Sequence, residues 1–211
     1  MTSPHAGPRT QRPYRSRVRE QKAADTRERI VSAGVAIVEG LSDLDWTAMT
    51  FQAVADGAGV SKRTVFRHFA TERDLHDAVM QRFQERAGVS YEHVDLAGVA
   101  TVARRVFEAL SSFAVSSWTV EPDNPTFTAM DRARGDALRG AVAAAAPDWS
   151  SRQQALSAGV LDVLWSPTAY ERLVAHWGAS SSDAIQAIQW AIGLVVHSVE
   201  SGRPPGGTQS P

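Results

Sequence analysis

Cysteine is absent from the 211 residues, which excludes disulfides, thiolate zinc sites and cysteine nucleophiles. Hydrophobic burial, with or without oligomerisation, must then stabilise the fold. No run of eighteen or more apolar residues occurs, and no apolar stretch follows the basic residues near the start. Neither a membrane span nor a secretory signal is therefore expected, and a cytoplasmic protein is. Strand-like alternation, repeats of fixed period and sustained heptads are missing too, which leaves an all-α chain. No Gly-rich phosphate loop, HExxH, Ser/His/Asp ordering or carboxylate pair stands out, and Glu108, Asp131 and Asp162 are scattered. The six histidines include no i,i+4 pair, so no metal site and no cofactor is assigned. Lysine is scarce beside arginine, a bias of a GC-rich genome that carries no functional weight.

What is present is a 43% hydrophobic chain, long enough for a small domain followed by a larger one. Its net charge of -1 hides an asymmetry. Residues 1–89 hold 14 Lys+Arg against 11 Asp+Glu, whereas residues 90–211 hold 8 against 12, so the basic end is the candidate polyanion end.

The first segment, 1–21, contains Pro4, Pro8, Pro13 and five arginines with hardly an apolar group, and reads as a disordered basic arm. Four short helices should fill 22–88. The first, 22–39, carries Ile30, Ala33, Gly34 and Ile37 on one face and ends at Gly40; the connection after it holds a half-buried Trp46. Thr50 is a good N-cap for a helix over 51–58. Gly59 can then take the left-handed conformation that reverses the chain, with Val60 in the angle and Ser61 capping a helix over 62–68. Thr71 followed by Asp74 resembles a capping box for a fourth helix reaching about 86. Beyond Asp95 the pattern predicts longer helices over 99–118, 126–146 and 149–165, a short one over 168–177, and a last one over 183–200 before a Gly/Pro tail at 202–211. About nine helices result, with a second domain over 95–201.

Helix, glycine turn, then a capped helix with basic and hydroxyl groups is the arrangement by which one helix enters a DNA major groove while its predecessor crosses the backbone. No acidic residue lies between Asp56 and Glu72, whereas Lys62, Arg63, Arg67 and His68 do. Thr50 and Ser61 would present helix N-termini to phosphates. An alternative is a structural helical hairpin in an unrelated protein. The arginine arm could equally be a solvated tail or insert Arg15, Arg17 or Arg19 into a minor groove.

Residues 57–69, Gly-Ala-Gly-Val-Ser-Lys-Arg-Thr-Val-Phe-Arg-His-Phe, followed by Thr71-Glu72-Arg73-Asp74-Leu75, resemble the TetR family of transcriptional regulators. That resemblance covers about 23–80. It implies a three-helix helix-turn-helix domain and a variable helical C-terminal domain for ligand binding and dimerisation. It also implies a cytoplasmic homodimer, by default a repressor, that binds double-stranded palindromic operator DNA and answers to a small-molecule effector. Carried onto this chain, it implies phosphate contacts at Thr50, Phe66, His68 and the start of helix 4, with Lys62, Arg63, Thr64 and Arg67 nearest the bases. The chain departs from the family at three positions. Phe66 lacks the hydroxyl of a frequent tyrosine, and Glu72 replaces a common lysine, leaving that contact to Arg73 or backbone amides. Arg63 replaces a frequent glycine and adds a donor suited to guanine O6 and N7.

The effector pocket implied by the resemblance lies roughly within 97–165, with Phe107, Trp118, Phe127, Met130 and Trp165 as candidates for an apolar or aromatic ligand. Each of these is individually a candidate core residue. Ile185, Ile188, Ile192 and Val196 resemble the family's intersubunit bundle, the alternative being burial of the same face inside one chain. The rival function is a helical small-molecule-binding protein or enzyme with an incidental helix-turn-helix.

Overall fold

A computed structural model describes residues 12–41, 46–111 and 124–206, with side chains from residue 17 onward; among these residues there are nine α-helices and no strand. Trp118 lies outside the described residues. The N-terminal part holds α1 (Arg12–Glu39), a 3₁₀ turn (Trp46–Ala48), α2 (Phe51–Ala58), α3 (Lys62–His68) and α4 (Glu72–Ala87). After it come α5 (Val99–Ser111), α6 (Pro125–Ala145), α7 (Ser151–Leu164), α8 (Pro167–Glu171), a π-helical turn (Arg172–His176) and α9 (Ser181–Glu200).

Caps define the elements. Thr50, Ser61 and Thr71 each accept a hydrogen bond from the backbone N–H three residues on, and Thr71 with Asp74 completes a capping box. Asn124 with Pro125 starts α6, and Ser150 with Gln153 forms a second box at α7.

One boundary differs from expectation: α1 begins at Arg12, inside the segment read as a disordered arm. Pro13 is harmless there, because first-turn residues need no intrahelical donor, and the Arg, Glu and Gln that follow are good helix formers. Burial starts only at Ile30, so residues 17–25 form an exposed helical extension.

From Ile30 onward α1 packs on α2 and α4 through Ile30, Val31, Val35 and Val38. Gly34 permits the close approach. A Cβ there would stand 2.7 Å from Val79 Cγ2 and 3.1 Å from Met49 Sδ. Two ion pairs fasten the same helices: Arg82 forms a bidentate pair with Glu28, with Nη2 donating to Oε2 at 2.7 Å, and Arg86 donates to Glu39 at 2.9 Å. The Arg82 hydrogen bond holds the Glu28 carboxyl down at about 2.

The two parts share one continuous core. Trp46, expected to be half-buried, is 2% exposed because α6 brings Phe127 edge-on to it at 5.3 Å and α4 brings Phe83 to 6.3 Å. Thr126 Oγ1 of α6 donates to Asp77 of α4 at 2.7 Å, and Arg105 of α5 donates to the Gly88 carbonyl at 2.9 Å. Asp131 and Asp162, scattered in sequence, converge on Arg134, which donates to each at 2.8 Å and is itself buried. Glu108 pairs with Arg104.

Candidate nucleic-acid interface and effector cavity

The reversal between α2 and α3 depends on Gly59, whose φ of 62° is left-handed. Its N–H donates to the Asp56 carbonyl at 3.2 Å and the Val60 N–H to that of Ala55 at 3.0 Å, the two bonds of a Schellman motif. Arg29 of α1 reaches across and donates to the Ala58 carbonyl at 2.7 Å. A cation therefore meets the negative end of α2 and braces the turn against α1. Sequence reasoning missed this contact, since Arg29 is 29 positions from its partner.

On α3, Val65 is the buried anchor and Lys62, Arg63, Phe66 and Arg67 are exposed. Among the described residues no carboxylate pairs with Lys62, Arg63 or Arg67. The Ser61 hydroxyl caps the Thr64 N–H at 3.2 Å and lies 2.9 Å from the Thr64 hydroxyl. Phe66 packs edge-on against Phe51 at 4.6 Å, and the Lys62 ammonium lies 5.9 Å from the Phe66 ring. Arg27 of α1 sits over Phe69 at 4.9 Å. The exposed arc of α3 therefore offers three cations on a helix held from behind.

Three expected phosphate contacts look different in the structure. His68, assigned to the outward face, is half-buried and its Nε2 is enclosed without a hydrogen-bond partner. Burial, helped by Arg67 and Arg27, pushes its imidazolium pKa down and favours the neutral ring. Arg73 is exposed, but its guanidinium stands 3.8 Å from Asp77. At the head of α2, Thr50 caps Ala53 as expected, while the Phe51 N–H donates to Glu72 Oε1 at 3.0 Å. An acidic side chain thus occupies part of the N-terminus proposed for phosphate.

Behind this face lies a cavity of about 100 Å³, between α1 and α4 on one side and α5, α6 and the end of α7 on the other. Phe127, Met130 and Trp165 line it as expected, and Trp46, Tyr91 and Arg134 join them. Phe107 does not. It is fully buried and stacks on Tyr170 with centroids 5.5 Å apart, so it is a packing residue. Burial pushes the Tyr91 hydroxyl up to about 12.

The expected dimer residues need correction. Ile185, Ile188 and Ile192 are buried within the protomer, where α9 packs on α5 and α7, and Val196 is half-buried. Apart from Trp177, the exposed large apolar side chains of the C-terminal part are Leu156, Val160 and Val163 along α7, and Trp190 and Leu194 one turn apart on α9. Val160 and Leu194 line one groove, so the two stripes adjoin.

Taken together, the braced glycine turn and the acid-free, cation-bearing α3 define a helix-turn-helix DNA-binding protein. Residues 36–79 match the family model described as bacterial regulatory proteins, tetR family. The segment holding α2 and α3 is thus a TetR-family domain, and the chain is a DNA-binding transcriptional regulator. No curated protein matches the chain. Among the described residues no helix is long and apolar enough to cross a membrane, and no cluster of His, Asp and Glu could hold a metal ion.

Proposed function

We propose that the protein is a homodimeric, effector-responsive repressor that grips a palindromic operator with one α3 per half-site. The observation that carries this reading is the unpaired cation set on α3, Lys62, Arg63 and Arg67, set on a helix whose opposite face is packed. Lys62, Arg63, Thr64 and Arg67 lie nearest the base edges, Arg63 gripping a guanine, while Ser61 and the first amides of α3 lie against the backbone. Arg17, exposed on the helical extension of α1, adds positive charge toward the DNA backbone.

Dimerisation through α7 and α9 is supported by the adjoining Leu156, Val160, Val163, Trp190 and Leu194 stripes, which would otherwise leave large apolar side chains in water. A two-fold pair sets its two recognition helices about 34–36 Å apart for successive turns of one DNA face. An apolar or aromatic effector in the cavity favours a differently spaced state and releases the operator. The coupling route is short: Trp46 lines the cavity, and the Met49 N–H donates to the Trp46 carbonyl at 2.9 Å just before the Thr50 cap of α2.

Selection from random duplexes tests this. Enriched sequences should contain an inverted repeat with guanine at a position that becomes degenerate in Arg63→Ala, at a cost of about 1–3 kcal/mol. Arg73→Ala should weaken all duplexes alike. Failure to enrich any repeat, or the same relaxation by both variants, contradicts the reading.

A further inference from the structure

The cavity behind the DNA-binding face has polar residues in its wall, yet the surface it presents is almost wholly carbon. The indole Nε1 atoms of Trp46 and Trp165 are enclosed by the protein and lie out of reach of anything in the cavity. Arg134 already donates to Asp131 and Asp162 at 2.8 Å. Tyr91 and Gln84 add hardly any polar surface, and no carboxylate lines the cavity among the described residues. Water entering it would give up hydrogen bonds that such a wall cannot replace. A cation would find no counter-charge, and an anion would meet a guanidinium whose charge is already balanced.

Resting on the effector reading above, we infer that the cavity takes an aromatic hydrocarbon of one ring, free of hydroxyl, amine and carboxylate groups and recognised by shape and dispersion alone. Apolar cavities of about 150 Å³ take benzene, and at about 100 Å³ this one leaves the remaining adjustment to the flexible Met80 and Met130 in its wall. Trp46, Phe83, Tyr91, Phe127 and Trp165 also line it, which favours a ring over an alkyl chain through edge-to-face contacts. A hydroxyl on that ring would leave water and find no partner, so the site rejects the polar analogue rather than the apolar one. The ligand bridges the two parts of the chain, because Trp46 belongs to the segment entering α2 whereas Trp165 caps the end of α7.

The experiment titrates the full chain calorimetrically with toluene, ethylbenzene, phenol, benzylamine and benzoate, and follows release of a selected duplex in parallel. Toluene and phenol exchange a methyl for a hydroxyl at nearly one volume, and toluene should bind about ten- to a hundredfold more tightly. Its binding should carry the negative heat-capacity change of apolar burial. Ala87→Leu, which adds volume to the wall, should weaken toluene at least about tenfold. If that variant fails to fold, the ligand series on the parent protein still decides the matter. Phenol binding as tightly as toluene overturns the hydrocarbon class, and so does tighter binding of benzylamine or benzoate. Toluene binding that Ala87→Leu leaves intact in a folded protein puts the ligand elsewhere and overturns the site. No binding of toluene or ethylbenzene near their aqueous saturation overturns the cavity as a ligand site. Toluene binding with the expected preference but without release of the duplex upholds the ligand class and overturns only the effector reading.

Discussion

The carboxylate at the head of α2 makes a sharp test, because its removal should strengthen DNA binding. Glu72 Oε1 accepts the Phe51 N–H at 3.0 Å, on the helix end where a backbone phosphate would also seek amides and the Thr50 hydroxyl. A phosphate there would lie roughly 5 Å from the Glu72 charge, and like charges at that distance repel by about 0.8 kcal/mol in water and about 3 kcal/mol at an effective dielectric of 20. Glu72 is exposed, so the lower end applies. About 1 kcal/mol per half-site is a factor of about five in affinity. Glu72→Gln removes the charge and keeps an acceptor for Phe51, so thermal stability should change by less than about 1 kcal/mol. Fluorescence anisotropy on a selected duplex over a salt series reads the effect. The variant should bind more tightly at every salt concentration, with a steeper salt dependence if α2 gains a phosphate. Equal or weaker binding at unchanged melting temperature would refute the reasoning and make Glu72 a group that orients α2 for DNA.

Gly34→Ala puts a Cβ 2.7 Å from a methyl of Val79, a β-branched side chain with 0% exposure. Overpacking of about 1–3 kcal/mol should outweigh the gain of up to about 1 kcal/mol from helix propensity, and a calorimetric Tm that rises instead would show that α1 and α4 separate freely. Glu28, held down at about 2 by Arg82, has a folded pKa below its ordinary 4.5. Its contribution is therefore present above about 4.5 and lost as the pH falls toward 2. Because the pair is largely exposed, urea denaturation should find Glu28→Gln less stable than the parent by no more than about 1 kcal/mol at neutral pH, with the gap closing in acid. A gap independent of pH assigns the loss to packing. Trp190→Glu, on an exposed site, should yield folded monomers by sedimentation, whereas Ile192→Ala, at 0% exposure, should cost about 2–5 kcal/mol of stability. An unchanged dimer mass for Trp190→Glu would move the interface off α9.

Local chemistry was the legible part of the fold. The caps at Thr50, Ser61 and Thr71 and the reversal at Gly59 are made by residues within a few positions of one another, so the bounds of α2 and α3 follow from sequence. Features joined over longer spans were not legible. Glu72 reaches the head of α2 from 21 residues away, and Phe107 finds Tyr170 only because α8 folds back beside α5. On α9 both faces are apolar, and nothing local says that Ile192 turns inward while Trp190 turns out. The start of α1 was misread for another reason: prolines and arginines resemble a solvated tail, yet Pro13 sits where a helix tolerates it. His68 was misplaced because its position on a basic helix outweighed its nearness to the Phe69 core.

The most direct test of the central claim is binding of the purified protein to a labelled fragment from upstream of its own coding region, at two salt concentrations, against scrambled competitor. Retention that resists competitor, weakens steeply with salt and saturates at two protomers per site is the expected result. Retention no better than on scrambled DNA, there and on every genomic fragment tried, would contradict an operator-binding regulator.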